Sequence, residues 1–149
     1  MPVQQAILAP VPCVHLVGAL EVIGQHGVVA FGSQAGFFFL NKDRESKFPA
    51  RTNFLITASR PELGHDEFYN HGFVTFRGNF VRWTPANSRG EHPKPELRPI
   101  STQRDTPFQG FWEVANLRRP SPEIPLQKLL SASNHKPVLT IPKDPTEVI

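Results

Sequence analysis

Short apolar runs separated by turn-forming residues fill the first forty positions of the chain. Five of these runs have the length of β-strands, at residues 4–8, 13–17, 20–23, 28–31 and 36–40. Glycines lie between the runs or at their ends, where glycine commonly terminates an element. Glu21 is the one charged residue of this stretch, so the pattern predicts central strands that are buried on both faces.

The rest of the chain adds fewer predicted elements. Residues 53–58 and 111–117 are predicted strands, and 138–141, bracketed by two prolines, is a predicted edge strand. A Ser-Pro-Glu start followed by leucines predicts a short helix within 124–131. Together these patterns predict an all-β or β-dominated α+β fold. We expect a small barrel-like or strongly bent antiparallel sheet with one or two short helices.

The clearest local pattern lies at residues 69–85, where two β-rich runs flank Gly78-Asn79. Glycine at the first position of a two-residue turn favours a type II′ hairpin, in which paired residues share a face. One face of that hairpin would belong to the core and comprises Val74, Phe76, Val81 and Trp83. The other face mixes rings, hydroxyls and cations and comprises His71, Phe73, Thr75, Arg77, Phe80, Arg82 and Thr84.

The chain has 149 residues, the size of one domain, which we expect to span 1–142 with a tail at 143–149. Residues 85–110 are rich in proline and polar groups without periodicity, which is typical of a long binding loop or arm. Cys13 is the single cysteine, which favours a reducing compartment. No apolar run reaches the roughly 18 residues of a membrane span, and the N-terminus lacks the basic region of a secretory signal. These features predict a cytoplasmic protein without a membrane partner.

Positive charge is concentrated in one third of the chain. The formal net charge is +3, and residues 77–119 contain eight basic and four acidic side chains. Seven of the eight basic residues are arginines, whose planar guanidinium suits phosphates, carboxylates and aromatic rings. The pattern permits an anionic partner, and it is equally typical of a solvated surface whose arginines pair with local Glu and Asp.

Catalytic patterns are weaker than this charge pattern. The densest group of possible metal ligands is His65, Asp66, Glu67 and His71. Such ligands bind a divalent metal when three or four converge, but their spacing matches no zinc motif. Cys13 and His15 would share a strand face, yet neighbours on one strand rarely adopt the geometry of a nucleophile pair. The sequence therefore predicts no cofactor and favours a non-catalytic protein.

The polar hairpin face and the basic segment that follows it form a more coherent pattern. Their candidate binding residues are His71, Phe73, Thr75, Arg77, Phe80, Arg82, Arg89, Lys94, Arg98 and Arg104. Aromatic rings stack on bases, while arginines contact phosphates and ring faces. This combination predicts a non-catalytic module that binds nucleic acid (RNA or single-stranded DNA) or a modified nucleotide.

Part of the chain resembles PUA-like domains, including the EVE group. The matching segments are Phe111-Trp112-Glu113-Val114, Leu117-Arg118-Arg119-Pro120 and the leucine-rich residues 124–130, which are similar to a closing strand, a proline and a short helix. The apolar run 36–40 before a polar loop is similar to a central strand of those barrels. The resemblance implies a small β-barrel that binds RNA or modified bases, and no binding residue is carried over from it.

Two other functions remain open at this stage. A protein–protein interaction or inhibitor module would dock through residues 85–110 as an extended proline-rich arm. A small metal-dependent enzyme would centre on residues 65–71. The polar hairpin face could also pack beneath a loop, with arginine stems covering the rings.

Overall fold

The structure, a computed structural model, describes residues 6–33, 52–59, 72–102, 108–132, 134–140 and 146–149. The elements of these residues are β1 (Ala6–Pro12), α1 (Cys13–His26), β2 (Val28–Ser33), β3 (Asn53–Ser59), β4 (Phe76–Pro85), β5 (Gly110–Arg118) and β6 (Thr146–Val148). Single 3-10 turns occur at Pro95–Leu97, Ile100–Thr102 and Leu126–Lys128.

The six strands of the described residues form one mixed sheet in the order β2-β5-β4-β3-β1-β6. β1 and β3 are parallel, and every other neighbouring pair is antiparallel. The prediction of a β-dominated α+β fold is confirmed. The order is linear, so the strands that the structure describes form an open sheet rather than a closed barrel.

The predicted strands at 13–17 and 20–23 are wrong, because both lie within helix α1. Buried residues recur three apart along it, at Cys13, Leu16, Ala19 and Val22, which is a helical spacing. The helix ends at Gly27, whose φ of 75° is in the left-handed region and whose N–H donates to the carbonyl of residue 23 at 2.9 Å. α1 leads the chain from β1 to β2, at the far edge of the sheet.

The two faces of the sheet have different environments. Ile7, Phe54 and Trp112 belong to the larger core, which also contains the buried residues of α1, and we call this side the helix face. On the other side, which we call the second face, Leu8 and Leu55 form a smaller core with residues of the segment after β5 and of β6. The remainder of the second face, on β4 and β5, carries the polar side chains described below.

The hairpin predicted at Gly78-Asn79 is also wrong, because both residues lie inside the continuous strand β4. Gly78 is required by packing rather than by a turn. A Cβ at this position would lie 2.6 Å from Cγ1 of Val114 and 2.8 Å from the carbonyl oxygen of Ala115. Because β4 does not reverse at this glycine, the pairing predicted within residues 69–85 does not occur, and β4 pairs instead with β3 and β5.

Near the C-terminus the chain departs from prediction in three places. Only Leu126–Lys128 is helical within 124–131, as one 3-10 turn. Residues 138–140 form no strand, although Val138 donates its N–H to the carbonyl of residue 129 at 3.0 Å. The predicted tail contains β6, which pairs antiparallel with β1 and places Val148 fully inside the smaller core. The predicted strand at 36–40 lies outside the described residues.

Candidate anion-binding site

Two irregularities decide which side chains of β4 and β5 point away from the helix. The pairing shifts between Phe80 and Arg82, so that Phe80 and Trp83 both pack with the helix-face core. A bulge inserts an extra residue that reverses the alternation of side chains beyond it. Arg82, paired with Glu113, therefore lies on the second face.

A second shift in the pairing of β4 with β5 changes which face the side chains at the end of β5 occupy. Arg77 pairs with Arg118 and Asn79 with Ala115, which leaves one more residue on β5 than on β4 between the two pairs. Asn116 lies in this bulge and has a φ of 56°, a left-handed conformation that asparagine tolerates better than most residues. Leu117 consequently enters the helix-face core, and the next side chain, Arg118, shares the second face with Arg77.

The site thus consists of three arginines on the second face, Arg77, Arg82 and Arg118, which we call the arginine strip. Cross-strand partners have their Cβ atoms about 4.5–5.5 Å apart, so Arg77 and Arg118 are immediate neighbours. Arg82 lies roughly 15 Å farther along β4 at about 3.3 Å per residue. The side chain of Arg82 is 65% exposed, Arg118 is exposed and Arg77 is half-buried.

Arg77 and Arg118 have amide and carbonyl partners instead of carboxylates. A terminal nitrogen of Arg77 lies 3.5 Å from Oδ1 of Asn53, and Arg118 donates to the carbonyl of Asn116 at 2.8 Å. The amide of Asn116 donates in turn to Oδ1 of Asn79 at 3.1 Å. No carboxylate of the described residues lies within 4.0 Å of either guanidinium. Arg77 Nε is shielded from solvent and has no hydrogen-bond partner among the residues that the structure describes.

Among the described residues, Glu113 is the carboxylate that lies beside Arg82, and it is itself buried. Its Oε1 lies 3.8 Å from Nε of Arg82, its Oε2 lies 3.5 Å from Nε2 of His92, and the Thr84 hydroxyl donates to Oε2. Burial by itself would raise the pKa of Glu113, but its contacts with His92 and Thr84 and the charge of Arg82 outweigh burial and hold that pKa below the ordinary value. Glu113 is therefore an anion that neighbouring groups already satisfy.

The segment after β4 covers the adjacent part of the second face. Arg98 is only 2% exposed, and its Cζ lies 5.1 Å from the ring centre of Phe108 and 5.2 Å from that of Phe111. His92 is also buried, with its ring centre 5.0 Å from that of Phe111. Gly32 lies beneath Phe108, where a Cβ would approach the ring to 2.7 Å. In the described residues, this part of the predicted arm is folded onto the sheet.

The structure therefore redistributes the predicted binding residues. Phe80 and Thr75 are buried, at 2% and 1% exposure, and Thr75 Oγ1 accepts from the backbone of residue 58 at 2.8 Å. The sequence predicts that these two side chains and that of Arg98 contact a ligand. Their burial in the structure leaves them unavailable for such contact. Phe73 is half-buried and bridges to residue 125.

Other predicted residues are exposed or lie outside the described part. Arg89 and Lys94 are exposed on the segment after β4. The candidates that lie outside the described residues are His65, Asp66, Glu67, His71 and Arg104. Among the residues that are described, no three His, Cys, Asp or Glu side chains converge on a metal-sized site. Cys13 and His15 lie two apart on a helix, where they do not face each other.

Sequence reasoning placed Arg77 and Arg82 in the binding surface but missed Arg118. Its position on the second face depends on the bulge at Asn116, and strict alternation along β5 would have placed it with the core. The available signal was the Ala-Asn-Leu-Arg sequence, because asparagine in a strand-forming run is a candidate for a positive-φ bulge.

Comparison with known proteins adds no relative. A scan against protein-family models finds no match to this chain, and a search of curated proteins finds none either. In the part of the chain that the structure describes, no helix is long and apolar enough to cross a membrane.

Proposed function

We propose that this protein is a non-catalytic module that binds the phosphate backbone of single-stranded nucleic acid through the arginine strip. The observation that carries the proposal is the row of Arg77, Arg118 and Arg82 on one sheet face. Arg82 is 65% exposed although it lies beside Glu113, and no described carboxylate lies within 4.0 Å of the other two guanidinium groups. Guanidinium groups pair with phosphate oxygens in bidentate geometry.

The length of the strip favours a polyanion over a small anion. Arg77 and Arg82 are roughly 15 Å apart along β4 at about 3.3 Å per residue, and strand side chains stand roughly perpendicular to the sheet, so the two arginines are spaced to contact separate phosphates. Arg89 and Lys94, exposed on the segment that follows β4, add two further cations. A chain of linked phosphates can contact such a series of cations one after another, and each contact releases counterions.

The burial of Phe80 changes the expected mode of binding. With this ring in the core, stacking on a base at that position is lost, and phosphate contacts supply most of the affinity. Binding should therefore depend weakly on base sequence and strongly on salt. The resemblance to PUA-like domains suggests the same class of ligand and stays a prediction.

Fluorescence anisotropy with a labelled single-stranded oligonucleotide tests the proposal. The Arg77→Ala/Arg118→Ala double variant should bind much more weakly than wild type at about 50 mM salt, and its log–log salt slope should be smaller by at least about 0.7, the contribution of each single-strand phosphate that loses its contacts. The matched control is Lys128→Ala/Lys136→Ala, which removes the same charge from exposed positions outside the strip. Equal loss in both double variants, or no binding by wild type, would overturn the proposal.

A further inference from the structure

We infer that Arg77 and Arg118 form a clamp for a single phosphate group, built by the bulge at Asn116. The inference deepens the proposed function and rests on it for the biological source of the phosphate. It assigns a particular subsite within the arginine strip, with the doubly or singly charged oxyanion of a phosphate as its ligand.

Without a ligand, the two positive charges of Arg77 and Arg118 repel each other. Like charges on directly opposite cross-strand positions destabilise a sheet, and Arg77 and Arg118 occupy such positions. A neighbouring carboxylate would relieve this repulsion, yet none of the described residues supplies one within 4.0 Å. An oxyanion bound between the two guanidinium groups would convert this repulsion into two attractions.

The guanidinium of Arg77 is also partly desolvated. Its Nε is shielded from water and has no hydrogen-bond partner among the described residues, which is uncommon for a buried polar group. Because part of this guanidinium is already dehydrated, an incoming anion displaces less water from it. The local dielectric is also lower than in bulk water, which strengthens the charge–charge attraction.

The local structure holds the two side chains in place. Oδ1 of Asn53 lies 3.5 Å from a terminal nitrogen of Arg77, and the carbonyl of Asn116 accepts from Arg118 at 2.8 Å. Asn116 is itself fixed by its side-chain hydrogen bond to Asn79 at 3.1 Å. β-Bulges recur beside functional sites because they re-aim a side chain. Here the bulge directs Arg118 toward Arg77. The carbonyl of Asn116 that accepts the hydrogen bond from Arg118 belongs to the same bulge.

Titration with inorganic phosphate, followed by ³¹P NMR or calorimetry at low ionic strength, tests the clamp directly. Wild type should bind one phosphate, and Arg118→Ala and Arg77→Ala should each weaken binding roughly 10-fold or more, as expected for loss of a hydrogen bond to a charged group. Arg118→Lys, which keeps the charge but not the planar fork, should also bind more weakly than wild type. Lys136→Ala removes the same charge from an exposed position outside the arginine strip and should change phosphate affinity less than twofold.

Three results would overturn the clamp: no phosphate binding by wild type, equal loss in Lys136→Ala and Arg118→Ala, or full affinity in Arg118→Ala. Arg118 is exposed, so its variant should fold even if Arg77→Ala does not. An oligonucleotide titration of the same variants separates this inference from the proposed function. If oligonucleotide binding depends on Arg77 and Arg118 but inorganic phosphate does not bind to wild type, the clamp falls and the function stands. If phosphate binding depends on both arginines but no oligonucleotide binds, the clamp stands and the function falls.

Discussion

Replacing Phe80 with alanine distinguishes the two possible roles of this ring. Phe80 is 2% exposed within the helix-face core, and its ring centre lies 5.3 Å from that of Trp112 in an edge-on arrangement. Removing a buried phenylalanine ring typically costs about 3–5 kcal/mol, which includes the cavity that remains. A ring that instead faced a ligand would contribute to binding and little to stability.

The expected loss is large compared with the stability of one domain, which is about 5–15 kcal/mol in total. For a domain of this size, each kcal/mol changes Tm by about 2–4 °C. The Phe80→Ala variant should therefore unfold roughly 6–20 °C below wild type in a thermal melt followed by circular dichroism. Urea unfolding should give a midpoint lowered in proportion, with a similar m-value if the transition stays two-state.

The control is Leu139→Ala, which truncates a large apolar side chain that is 79% exposed and should change stability by less than about 0.5 kcal/mol. The face assignment of β4 would be refuted by a Phe80→Ala protein that melts within about 2 °C of wild type. It would be refuted most clearly if that variant also bound an oligonucleotide many-fold more weakly than wild type.

Three further predictions follow from the described contacts. Because the pKa of Glu113 is lowered in the folded protein, this carboxylate stabilises the fold at pH values above its ordinary pKa near 4.5, and the stabilisation is lost as pH falls through the lowered pKa. Urea unfolding between about pH 3 and 7 should show this loss of stability in wild type. The same measurement should give a flatter pH profile in Glu113→Gln. Gly110→Ala should destabilise the protein by about 1–3 kcal/mol, because a Cβ at this position would overlap the ring of Trp83. Gly24→Ala should instead stabilise it by about 0.5–1 kcal/mol, because Gly24 is a helical position with nothing within 4 Å of the added Cβ. Thermal melts that rank the two variants the other way would contradict the packing described for β4 and β5. Val148→Ala should cost about 1.5–3 kcal/mol because its side chain is fully buried, and a melting temperature equal to wild type would show that β6 is not part of the core.

The positions of three strands could be predicted closely from the apolar pattern of their local sequence. The predicted strands at 28–31, 53–58 and 111–117 lie within β2, β3 and β5. Each is a short run rich in β-branched or aromatic residues, and each lies where the sheet buries it on at least one face. Their neighbours in the sheet and the crossover by α1 are long-range features, which the local pattern does not encode.

Helix α1 was missed because its sequence contains two glycines and several β-branched residues, which favour strands and turns. Tertiary packing outweighs those preferences here. The spacing of Leu16, Ala19 and Val22, which are buried against the sheet, was present in the sequence, but the glycines divided the stretch into two shorter runs that suggested strands.

The candidate site shows how strongly a bulge limits prediction from alternation. A one-residue change in pairing exchanges the faces of every side chain beyond it, and β4 and β5 contain two such changes. Arg82 was placed on the ligand-facing side, and its side chain is indeed mostly exposed. Phe80 was assigned to that same side but belongs to the core. The concentration of arginine in 77–119 was visible from composition alone, but the opposition of Arg77 and Arg118 requires the register.

The central claim is that nucleic acid contacts the second face of β4 and β5 through its arginines. The most direct measurement is a ¹H–¹⁵N NMR titration of arginine Nε–H and tryptophan indole signals with a single-stranded oligonucleotide at low salt. We expect the signals of Arg77, Arg82 and Arg118 to shift together at saturating oligonucleotide, while the indole of Trp112, buried on the helix face, stays in place. Unchanged signals from these three arginines, with shifts confined to Trp112 and the amides of α1, would contradict the claim.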